Sequence, residues 1–95
     1  MADQLTLDFV RALVAAEKPG RQGVTDVLAI SFSATDYIGH AFGPDSLEAE
    51  DNLLRLDRTL AELFGLLDEA VGQQRTLLVL SSDHGTAPLP EYVAE

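Results

Sequence analysis

Val24-Thr25-Asp26-Val27-Leu28-Ala29-Ile30-Ser31-Phe32-Ser33 is rich in β-branched residues and nearly continuous in its apolar run, the pattern of a parallel strand covered on both faces. Thr76-Leu77-Leu78-Val79-Leu80-Ser81 repeats that pattern in a shorter form. Between them, from Asp45 to Val71, Leu53, Leu56, Leu60, Leu63, Phe64, Leu67 and Val71 recur at steps of three and four, which predicts a long amphipathic helix. A strand, a helix and a second strand make a βαβ crossover, in which the strands run parallel and their carboxyl ends emerge on one edge. The predicted class is therefore α/β, as an α-β-α-β piece built around a parallel βαβ unit.

Outward from this unit, Leu5, Phe9 and Leu13, with Val10 and Val14, recur every four residues and predict a first helix over 1–17, with Asp3 available as its N-cap. Lys18-Pro19-Gly20-Arg21-Gln22-Gly23 reads as a linker over 18–23. Residues 34–44 hold two glycines and a proline, show no sustained period, and are predicted to be a loop. Asp45 with Glu48 resembles a capping box, Gly72 suits a helix C-terminus, and Ala87-Pro88-Leu89-Pro90 reads as irregular. The 95 residues form one partial α/β domain, with residues 24–90 carrying the residues of chemical interest.

Composition narrows the function. A chain of 10.2 kDa leaves no room for a separate cofactor module. Sixteen acids against six bases give a net charge of −10, which repels a phosphate backbone and argues against nucleic acid as a partner. The same charge favours a bound cation. The absence of cysteine excludes disulfides, thiolate zinc sites and cysteine nucleophiles. Met1-Ala2-Asp3-Gln4 lacks the start of a signal peptide and no apolar run is long enough to span a bilayer, so the sequence reads as a soluble chain with no membrane partner, while the compartment stays open.

The two predicted strands end alike. Asp36 and His40 follow the first, and Asp83 and His84 follow the second. Open α/β sheets bind ligands outside the carboxyl ends of their strands, so the four residues read as one constellation. Imidazole nitrogen and carboxylate oxygen both suit zinc or a similar divalent ion. Taken singly, such residues are ordinary caps and turn formers, and that reading stands beside the metal one. Gly39 and Gly85 serve either turns or a close backbone approach to a ligand. Ser31, Ser33, Ser81 and Ser82 lie outside any strand-turn-helix elbow and read as polar strand ends rather than nucleophiles. Arg55 and Arg58 read as a solvated helix face with local ion pairs, and Tyr37 and Phe42 as packing anchors.

Asp36-Tyr37-Ile38-Gly39-His40-Ala41-Phe42-Gly43-Pro44-Asp45-Ser46, followed after a helix by Leu80-Ser81-Ser82-Asp83-His84-Gly85, resembles the alkaline phosphatase superfamily, in particular its phosphodiesterase/nucleotide pyrophosphatase and bacterial alkaline phosphatase branches. That resemblance implies an alkaline-phosphatase-like sheet and a metal-dependent phosphoric ester hydrolase acting on monoesters or diesters. It implies two zinc ions, with manganese as the other candidate metal. Asp36 and His40 would belong to one ion, and Asp83 and His84 to the other. In the family a Ser or Thr nucleophile and a further aspartate lie before the counterpart of Asp36, and another histidine lies after that of His84; nothing here matches them. The implied chain is a fragment with part of a two-zinc site and no catalytic nucleophile, inactive alone, whose relatives are commonly periplasmic or extracellular.

Two parallel strands leave edges unpaired and apolar faces uncovered, which predicts self-association or docking to the rest of a domain. A phosphate ester would be a partner only of a completed domain. A non-catalytic metal-binding or self-associating α/β module is the alternative reading.

Overall fold

A computed structural model describes residues 2–85. Its elements are three α-helices, α1 (Ala2–Glu17), α2 (Ala34–Phe42) and α3 (Leu47–Ala70), with one 3-10 turn at Gln73–Arg75. The sequence reading of α/β architecture is corrected: no β-strand forms among the described residues. The predicted strands at 24–33 and 76–81 have no regular secondary structure, and no backbone hydrogen bond joins them. The expected irregular tail at 87–90 lies outside the described residues.

The physical reason lies in where each element finds its hydrogen bonds. A helix satisfies its backbone internally, whereas a strand depends on its neighbours, and a lone pair of strands is marginal in water. The first segment still keeps a strand's two-residue period. Leu28, Ile30 and Phe32 pack against the core, while Val27 between the two sides is 92% exposed. Coverage is on one face only, not the two that the apolar run predicts. The second segment is barer, with Leu77 90% and Val79 79% exposed.

The core lies between α1 and α3. Leu7, Val10 and Val14 of α1 and Leu63 of α3 are buried, with Leu60, Leu66, Leu67 and Ala70 packed around them. The buried stripe of α1 thus runs through Asp3, Leu7, Val10 and Val14, while Leu5 and Phe9 point out at 65% and 69% exposure. Asp3 lies inside α1 rather than capping it.

Helix α3 starts at a cap one residue later than the Asp45 box predicts. Ser46 is extended, with φ −87° and ψ 160°, and its Oγ accepts from Ala49 N at 3.1 Å. At the other end Gly72 has φ +104° and donates its N–H to Leu67 O at 3.1 Å, a backbone that side chains rarely adopt. The 18–23 segment turns through positive φ at Lys18, Gly20 and Gly23.

Residues 34–42 are helical, not the loop expected from their composition. Nine residues containing a glycine make a weak isolated helix, so α2 depends on contacts from outside itself. Those contacts place the site.

Candidate metal centre

Two anchors align the non-helical segments. Before them, Arg75 Nη2 donates to Gly20 O at 3.0 Å. After them, His84 Nε2 lies 3.2 Å from Asp36 Oδ1. The chain is thus drawn together before the two segments, at Gly20 and Arg75, and after them, at Asp36 and His84.

Helix α2 supplies half of the cluster. Asp36 and His40 are four residues apart on it, so their side chains share a face, and His40 Nε2 lies 3.1 Å from Asp36 Oδ1. Both imidazoles thus aim Nε2 at one carboxylate oxygen. Their ring centroids are 6.0 Å apart at 52°. One ligand atom from each of Asp36, His40 and His84 lies within 4.8 Å of the others, which is within reach of a single cation.

Three of the four residues singled out in the sequence meet here, although the resemblance divides them between two ions. Asp83 stands beside the cluster. Its Oδ1 accepts from the backbone N–H of His84 at 3.0 Å, and its Oδ2 lies 3.7 Å from His84 Nε2. Its side chain is 84% exposed, against 50% for Asp36 and 48% for His84. Gly39, beside His40, is buried within α2, and Gly85 contributes its carbonyl to His84.

His84 Nδ1 lies 2.7 Å from Gly85 O, and since a carbonyl only accepts, Nδ1 carries the hydrogen. In the neutral ring this leaves the Nε2 lone pair facing the Asp36 carboxylate. A proton on Nε2 or a cation between the two groups relieves that opposition. The Gly85 carbonyl first, then the carboxylates of Asp83 and Asp36, raise the His84 pKa above its ordinary value. Two imidazole nitrogens turned toward one carboxylate are a donor set suited to a divalent transition metal.

Two supporting roles are not in the sequence reading, which gives Asp3 only as the N-cap of α1 and does not name Asn52. Asp3 Oδ1 accepts from Ala34 N at 3.3 Å, and Asn52 Nδ2 donates to Thr35 Oγ1 at 2.8 Å. Polar residues on otherwise apolar helix stripes were the available signal, since both Asp3 and Asn52 are 6% exposed. Arg55 pairs with Asp51 at 2.7 Å on the same helix, in keeping with a local role. Ser33 makes no capping bond with its side chain, and Tyr37 is 72% exposed rather than a packing anchor.

The type I phosphodiesterase / nucleotide pyrophosphatase family model matches residues 2–94. Alkaline phosphatase PhoV of Synechococcus elongatus is 47% identical over 91 residues, covering 96% of this chain and 16% of that protein. Alkaline phosphatase PafA of Elizabethkingia meningoseptica is 47% identical over 83 residues, covering 87% of this chain and 15% of that protein. Ectonucleotide pyrophosphatase/phosphodiesterase family member 7 of Homo sapiens is 33% identical over 64 residues, covering 63% of this chain and 13% of that protein. The chain therefore spans only a small part of the length of these curated relatives. No solved structure matches it. With the family model matched over residues 2–94 and both Asp/His motifs inside that match, the chain belongs to the type I phosphodiesterase/nucleotide pyrophosphatase family of the alkaline phosphatase superfamily.

Proposed function

We propose that this chain supplies metal ligands to a phosphoric ester hydrolase centre and does not complete that centre alone. The observation that carries this reading is the convergence of Asp36, His40 and His84 ligand atoms within 4.8 Å. Asp36, His40 and His84 would hold one zinc or manganese ion, and the exposed carboxylate of Asp83 is available to a second. A bound divalent ion would polarise a phosphoryl oxygen and offset the negative charge that an anionic ester meets on a chain of net charge −10. The residues themselves do the preparatory work. The Gly85 carbonyl fixes the His84 tautomer, and the α2 register keeps Asp36 and His40 on one face.

Calorimetric titration with zinc tests the binding. The expected result is saturable binding by the wild-type chain that is lost in Asp36→Ala, with no hydrolysis of an aryl phosphate above the metal-only background. Absence of zinc binding would refute the ligand assignment. Metal-dependent turnover by the pure chain, lost in Asp83→Ala, would refute its incompleteness.

The exposure of Val27 and Leu77 at 92% and 90% supports a companion reading, that the bare apolar segments are covered by association with a second copy or with the remainder of a family domain. Sedimentation of the isolated chain should then show species larger than a monomer. A monodisperse monomer would contradict self-association.

A further inference from the structure

We infer that Asp3 and Asn52 are positioning residues that set the place of α2, and through it the aim of Asp36 and His40; the metal part of this inference rests on the proposed function. Helix α2 begins without a side-chain cap of its own. Ser33, its N-cap residue, has helical φ −93° and ψ −6° and makes no capping hydrogen bond. The acceptor comes instead from α1, where Asp3 Oδ1 takes the Ala34 N–H at 3.3 Å. Asp3 also lies in the first turn of α1, so the positive ends of two helices meet at one carboxylate. This accounts for an acidic side chain held at 6% exposure.

The second hold comes from α3. Asn52, also 6% exposed, donates Nδ2 to Thr35 Oγ1 at 2.8 Å, on the residue immediately before Asp36. Buried polar side chains on two different helices thus converge on the first turn of α2. Their bonds are directional, whereas the apolar contacts of a short helix leave its rotation and axial position loosely defined. A small displacement of α2 would separate Asp36 and His40 from His84, which arrives on a different part of the chain.

The test compares Asp3→Ala, Asp3→Asn and Asn52→Ala with Val14→Ala, a core control at the far end of α1. Cα chemical shifts over residues 34–42 report on α2, and calorimetric titration reports zinc affinity. Asp3→Ala and Asn52→Ala should each move the α2 shifts toward coil values and weaken zinc binding about tenfold, the scale of losing an outer-shell partner. Asp3→Asn keeps the acceptor oxygen and should preserve both readouts. Val14→Ala should lower the thermal midpoint while preserving both. The inference is overturned if Asp3→Ala and Asn52→Ala leave the α2 shifts and zinc affinity no different from the core control. If Asp3→Ala does not fold, Asn52→Ala decides by the same criteria. If the wild type takes up no zinc, the ligand assignment fails, and the α2 shifts alone uphold or overturn the positioning role.

Discussion

The two non-helical segments carry a single charged residue, Asp26, against four in α1 and nine in α3, yet it is the helices that bury their apolar side chains. The helices close their own hydrogen bonds and bury Leu7, Val10, Val14 and Leu63 against each other. Residues 24–33 find cover on one side only, and residues 76–80 find little. Apolar pattern therefore determines which residues seek burial, while the supply of backbone partners determines which elements form.

The largest effect that would sharpen this contrast is in the helical core. Leu7 is fully buried, and Leu7→Ala should cost about 2–5 kcal/mol, enough to remove most helical signal from so small a chain by circular dichroism. Replacing Ser46 with Ala should cost about 1 kcal/mol by removing the α3 cap, read as a lower thermal midpoint. On the other side of the comparison, Val27→Lys and Leu77→Lys should change thermal stability by less than about 0.5 kcal/mol, because both side chains already lie in solvent. The same substitutions should reduce self-association in sedimentation. A large loss of stability in either would break the comparison by showing that these segments are buried in the folded chain.

The smallest expected effect concerns pH. Because His84 has a raised pKa in the folded chain, its contribution to stability is fully present below the ordinary histidine value and is lost as pH rises through the raised value. The contact between His84 and Asp36 should therefore loosen over that interval, while the α1 and α3 core is indifferent to it. In metal-free protein, NMR titration should place His84 above the ordinary histidine range, with a lower midpoint in Asp36→Asn. An unchanged midpoint would remove Asp36 from the causes of the shift.

Much of the helical framework was legible. The run from Leu53 to Val71 announces α3, and only its cap differs, by one residue. Helix α2 is hard to read from its own nine residues, which carry no sustained period, while the side chains that bond its first turn, Asp3 and Asn52, are distant in sequence. The converse holds for residues 24–33 and 76–81, whose local strand pattern is strong but which no backbone hydrogen bond pairs. Of the candidate cluster, Asp36, His40 and His84 each follow one of the two apolar runs in the sequence, and the structure brings their ligand atoms within 4.8 Å of one another. The position of Asp83, turned to the neighbouring backbone N–H, depends on local geometry that no spacing records.

Because the chain has only two histidines, their ring resonances during a zinc titration test the central claim directly. Both rings should respond together and saturate at the same metal-to-protein ratio, and Asp36→Ala should abolish the joint response. A response of His40 with no change at His84, or saturation of the two rings at different ratios, would show that the chain does not gather them around one ion.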